Sequence, residues 1–93
     1  MTPGIKNDAG KPRHSLLPFD ALEDVTRVVE YGANKYQEHN WTKLAPIRLL
    51  DAALRHLFAH CRGEETDPES GLPHLAHACT SLLFVIALRK RLP

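Results

Sequence analysis

Between Gly63 and Ala78 the chain reads "GEETDPESGLPHLAHA", which places four carboxylates (Glu64, Glu65, Asp67, Glu69) and two histidines (His74, His77) within sixteen positions. Carboxylate oxygens suit Mg2+ or Mn2+, and imidazole nitrogens move the preference towards Mn2+ or Zn2+. Four like charges so close together repel one another unless a cation is near. The competing reading is structural. Asp67 and Ser70 are capping types, Pro68 fixes the backbone, and acidic groups are favoured near a helix N-terminus. Spacing alone leaves the stretch undecided between a site and a loop.

Other residues of the right chemistry lie upstream. His56 and His60 are four apart and share a helical face, as do Asp51 and Arg55; His74 and His77, three apart, share another. Each histidine pair is either a ligand pair or a solvated or hydrogen-bonded edge of a helix. Phosphate could be met by Lys6, Lys11 and Arg13 near the N-terminus, by Lys35 and Lys43, or by Arg48 and Arg55. The guanidinium is the better bidentate partner. The simpler role for Arg55 is an i, i+4 pair with Asp51, worth about 0.2–0.5 kcal/mol. Tyr36 and Trp41 offer flat faces to a nucleobase, unless Trp41 fills the core beneath its loop.

The elements that must position these groups read as helices. Residues 1–18 hold Pro3, Gly4, Gly10, Pro12 and Pro18 with little apolar periodicity, so they form an extended arm ahead of a single helical domain, 19–93. A first helix opens at "DALE", with Asp20 as cap and Glu23 near the capping-box position, and Leu22, Val25, Val28 and Val29 give its buried face. Gly32 is the expected stop. After the polar "NKYQEHNWTK", Pro46 suits the first turn of a second helix, which Gly63 ends. The third begins near Leu72 or Pro73 and runs to about Arg89. Its "LLFVIAL" is apolar on every side, which a lone three-helix monomer cannot bury, so this C-terminal helix is expected to form a homo-oligomer. The fold class is all-α, with no internal repeat.

Ninety-three residues make one domain with a limited core. Twelve Lys and Arg against eleven Asp and Glu leave a net charge of +1, so no general basic field draws the chain to polymeric nucleic acid or anionic lipid. The uninterrupted apolar run from Leu82 to Leu88 is far short of the roughly 20 residues that cross a bilayer. Cys61 and Cys79 lie in helical segments with no secretory leader ahead of them, and are expected as free thiols in a cytoplasmic protein.

Taken in order, "DAGKPR", "LLP", "YGANKY", "NW", "AALRHL", "GE" with "DPESGL", and "HLAHA" closely resemble the phage and bacterial family of dATP/dGTP diphosphohydrolase N-terminal domains, over about residues 5 to 88. The run "CTSLLF" departs from the asparagine associated with that position. The resemblance implies a purine nucleotide ligand and release of pyrophosphate and a monophosphate from dATP or dGTP; the ligand chemistry of the acidic loop adds Mg2+ or Mn2+ as the expected cofactor. By their own chemistry, Lys11, Arg13, Lys35, Tyr36, Asn40, Trp41, Arg55 and His56 are the candidate nucleotide contacts. The metal would be held by Glu64, Asp67 and Glu69, with Glu69, His74 and His77 as catalytic candidates. More remotely, the layout is similar to MazG-type all-α pyrophosphohydrolases, which hold Mg2+ with paired glutamates and a Glu-x-x-Asp. Here His74 and His77 stand where acids are wanted on the third helix, so nucleotide binding carries over more safely than hydrolysis. The alternative is a non-catalytic oligomer that sequesters a nucleotide-derived immune signal, and a third is a purely structural bundle.

Overall fold

The computed structural model describes residues 2–92; Met1, at the tip of the arm, and Pro93, the last residue of the helical domain, lie outside the described residues. Among the described residues the fold is all-α: α1 (Phe19–Lys35), α2 (Pro46–Cys61) and α3 (His74–Arg91), with short 3-10 turns at His14–Leu16 and Asn40–Lys43. Among the described residues the arm, 2–18, is exposed throughout. No helix in the described region is long and apolar enough to cross a membrane.

Helices α2 and α3 form a hairpin, and α1 lies along α3 on one side of it. Val25 and Val28 of α1, Leu49, Ala53 and Ala59 of α2, and Ala76 and Ala78 of α3 are the buried apolar residues. The buried Thr80 hydroxyl bonds the Ala76 carbonyl at 2.8 Å, one turn back on its own helix, and lies 3.5 Å from the Val25 carbonyl of α1. The second 3-10 turn is tied down by Trp41, whose indole stacks on Phe84 of α3 with ring centroids 4.5 Å apart.

The start and stop of α1 differ from expectation. Pro18 is the N-cap, the Asp20 carboxylate accepts from the adjacent Ala21 amide, and Glu23 pairs with Arg27 at 2.7 Å, so no capping box forms. Gly32 does not stop the helix; helical bonding continues to Lys35, and the Tyr36 amide caps onto the Gly32 carbonyl at 3.0 Å. A glycine lacks the propensity to extend a helix but does not forbid it when the next turn is held by tertiary contacts. The added turn carries Lys35 to the α2–α3 loop.

Helix α2 begins at Pro46 and ends in a Schellman motif around Gly63, whose φ of 98° is open to glycine. The Glu64 amide bonds the Ala59 carbonyl and the Gly63 amide bonds the His60 carbonyl, both at 3.0 Å. Helix α3 starts at His74 and runs two residues beyond the expected end, to Arg91. One side of it meets α1 and Trp41. On the other, Leu75, Leu82, Leu83 and Ile86 remain exposed and, with Ile47, Leu54 and Leu57 of α2, line an apolar groove.

Candidate functional site

The loop 62–73 is folded by its own sequence. Asp67 accepts the Ser70 amide on Oδ2 at 2.9 Å, its carbonyl takes the Gly71 amide at 2.7 Å, and its amide bonds the Leu72 carbonyl at 2.9 Å. Gly71 supplies the left-handed residue, φ 72°, that returns the chain to α3. An isolated bridge joins Thr66 to Pro73, and the His74 amide bonds the Glu65 carbonyl at 2.9 Å. The "DPESG" turn therefore does the capping work expected of a loop, and in doing so fixes one carboxylate beside the imidazoles.

Three histidines meet against that turn. His56 of α2 and His74 of α3 approach Nδ1 to Nδ1 at 2.8 Å, and the ring of His56 stacks on that of His77 with centroids 4.3 Å apart and planes 14° from parallel. His74 and His77 are both buried. On its far nitrogen, Nε2, His74 pairs with Glu64 Oε1 at 2.7 Å; Nε2 of His77 lies 2.7 Å from the Ser70 hydroxyl and 4.0 Å from Asp67 Oδ2. Tyr31 of α1 meets His77 edge to face, at 6.2 Å between centroids.

The electrostatics follow from burial and neighbours. Burial pushes His56 below the ordinary imidazole value, and the facing rings of His77 and His74 add to the effect. Burial likewise lowers His77, against the opposing pull of Asp67. For Asp67, partial burial works against ionisation, but the Ser70 amide and hydroxyl, with the nearby His77 and His56 imidazoles, outweigh it and hold the carboxyl below its usual range. At the rim, Lys35 Nζ donates to Glu69 Oε1 at 2.6 Å. That bond raises the Lys35 pKa and, with the Tyr31 hydroxyl, lowers that of Glu69.

A cavity of about 380 Å3 opens between the helices in front of this cluster. Its lining combines the charged and imidazole groups of Lys35, Arg55, His56, Asp67, Glu69 and His77 with Asn40, Leu44 and the rings of Tyr36, Trp41 and Phe84; Lys35 Nζ lies 5.3 Å from the centre of the Tyr36 ring. Six of the nucleotide-binding candidates thus line one space: Lys35, Tyr36, Asn40, Trp41, Arg55 and His56. Lys11 and Arg13 do not; they lie on the exposed arm, away from the lining. Arg55 forms no ion pair with Asp51 among the described residues, and Asp51 borders the apolar groove instead.

The metal set expected from the loop acids is rearranged. Glu64 holds His74, Glu69 holds Lys35, and Asp67 faces the imidazoles, so the three carboxylates do not converge. Among the described residues the group whose ligand atoms come together, within 4.8 Å of one another, is His56, Asp67 and His74. The same-helix pairs His56 with His60 and His74 with His77 are replaced by contacts across the hairpin, and His60 stays outside the cluster. Tyr31 and Phe84 are additions that spacing did not single out, although Tyr31 sits one turn before Lys35 and the ring of Phe84 backs Trp41.

No solved structure matches this chain. It is 41% identical over 90 residues to a protein of Salmonella phage PMBT28 named dATP/dGTP diphosphohydrolase. That alignment covers 97% of this chain but 31% of the relative, so the chain spans about a third of the relative's length. The family model for the N-terminal region of dATP/dGTP diphosphohydrolases matches residues 1–92. By that match and that identity, the chain belongs to the dATP/dGTP diphosphohydrolase N-terminal family.

Proposed function

We propose that the cavity between the three helices binds a purine deoxynucleoside triphosphate and that the chain takes part in its hydrolysis to the monophosphate and pyrophosphate. The observation that carries this reading is a single cavity lined both by cationic and imidazole groups and by aromatic rings. A nucleotide presents the matching pair of surfaces, an anionic phosphate chain and a flat base. The base lies against the Trp41 and Phe84 wall, and the phosphates lie towards Lys35 and Arg55.

Water attacks the α-phosphorus in line, the bond from that phosphorus to the bridging oxygen breaks, and pyrophosphate leaves. A divalent cation, the Mg2+ or Mn2+ that carboxylate ligands suit, would supply charge neutralisation and a more acidic water. His77, neutral because buried, is placed to take the water proton, and Ser70 fixes its ring through Nε2. Arg55 and Lys35 neutralise the charge that grows on the phosphate oxygens, Lys35 by exchanging Glu69 for phosphate. The name of the phage relative supports dATP and dGTP as substrates.

Self-association through α3 belongs to the same proposal. No large side chain among the described residues is fully buried, and a second copy laid along Leu75, Leu82, Leu83 and Ile86 completes the core on the side that α1 leaves open. That layer is opposite the cavity, so each copy keeps its own site.

Incubation with a panel of nucleoside triphosphates and Mn2+, followed by chromatography, tests the activity. Pyrophosphate with dAMP or dGMP is the expected product. Intact nucleotide recovered only after heat denaturation contradicts hydrolysis and leaves a binding protein; no retained nucleotide contradicts both.

A further inference from the structure

We propose that His56 Nδ1, His74 Nδ1 and an oxygen of Asp67 form a binding site for a divalent transition-metal ion, with Glu64 as the outer carboxylate that orients His74. This deepens the nucleotide reading and rests on it only for the use made of the ion. The binding itself is independent of nucleotide.

The two sides of His74 are differently prepared. A carboxylate is an acceptor only, so the 2.7 Å contact with Glu64 Oε1 puts the proton of neutral His74 on Nε2. The Nδ1 lone pair then points at His56, whose Nδ1 is 2.8 Å away. A carboxylate on the outer nitrogen of a ligating imidazole fixes its tautomer and raises its basicity. The third group is also held in place. The Ser70 amide holds Asp67 Oδ2 at 2.9 Å, which immobilises the carboxylate beside the imidazoles. One ligand atom from each of His56, Asp67 and His74 lies within 4.8 Å of the other two. Ligand atoms about 2.1 Å from an ion lie roughly 3.0–3.4 Å apart, so the two rings need part by only a few tenths of an ångström.

The ligand types select the ion. Two imidazole nitrogens and one carboxylate form a borderline set, which favours Mn2+, Co2+ or Zn2+ over the oxygen-seeking Mg2+. His56 and Asp67 both line the cavity, so an ion held by them would be reachable from it. This set differs from the three loop acids in using neither Glu69 nor a direct bond to Glu64.

The test is titration of the chelator-treated chain with Co2+ in the absence of nucleotide, read by its visible absorption, with Mn2+ and Mg2+ as competitors. One Co2+ per chain is expected, displaced by Mn2+ and not by equimolar Mg2+. Glu64→Gln should weaken binding roughly 10–100-fold, the usual effect of an outer partner, and His56→Gln and Asp67→Asn by more. Glu69→Gln should leave Co2+ affinity unchanged. Circular dichroism shows whether each variant stays helical, and Glu64→Gln, at an exposed carboxylate, keeps the test decisive if a buried variant does not fold. No uptake by the parent chain overturns the proposal, as does a loss with Glu69→Gln equal to that with His56→Gln. An ion bound with neither nucleotide binding nor hydrolysis would instead sink the nucleotide reading and leave this site standing.

Discussion

His56 and His74 are eighteen residues apart, on different helices, and face each other Nδ1 to Nδ1 at 2.8 Å. The contact exists because the hairpin loop between them is wound by Gly63 and Gly71 and clamped by Asp67. Loop geometry and site geometry are therefore one construction.

Replacing Gly63 tests that construction. Its φ of 98° strains any residue with a Cβ, although nothing lies within 4 Å of where that atom would go. Gly63→Ala should cost about 1–2 kcal/mol for the left-handed backbone alone. A lowered melting temperature together with weaker Co2+ binding is expected, since Glu64 follows directly. Unchanged melting would mean that the loop is not held by this residue.

Acid should destabilise the metal-free chain. Burial holds His56 and His77 below their ordinary value of 6.5, so the folded state binds fewer protons than the unfolded one. Their contribution is complete above about pH 6.5 and is lost as the pH falls through the folded values. Asp67, held below its ordinary 3.8, contributes above that value and is lost at lower pH still. Melting temperatures between pH 7.5 and 5 should fall, and His77→Gln should flatten the slope. A level profile would show that these rings do not titrate with folding.

Much of the fold was legible in the sequence, for identifiable reasons. Pro46 and Gly63 bounded α2 because their backbone restrictions are local, and the apolar run in α3 announced its uncovered side. The pairing of His56 with His74 was not legible. Spacing rules join residues within one helix, and here the partners come from two helices whose relative rotation is set by packing. The acidic loop misled for a related reason: its four carboxylates look like one set in sequence, but the turn at Asp67 sends Glu64 and Glu69 to different partners.

Phosphate recognition should divide between two cations. Arg55→Lys keeps the charge but loses the planar fork, and kcat/KM should drop about tenfold or more. Lys35→Ala removes a preorganised donor and should cost roughly 10²–10³ in kcat. Steady-state kinetics on dGTP check both; equal rates in the parent chain and Lys35→Ala would place the phosphates elsewhere.

The groove of α2 and α3 should report self-association. Leu82→Asp and Ile86→Asp put charges on exposed apolar positions. Sedimentation should show an oligomer for the parent chain and a monomer for the double variant. A monomeric parent chain at all concentrations would contradict the assignment of this face to a second copy.

A crystal structure with Mn2+ and a dGTP analogue, its α,β-bridging oxygen replaced by a non-hydrolysable group, would show ligand and ion together. The base is expected against Trp41 and Phe84, the phosphates beside Lys35 and Arg55, and the ion on His56, Asp67 and His74. Nucleotide density away from the three-helix cavity, with the imidazole cluster remote from every phosphate, would contradict the proposed site.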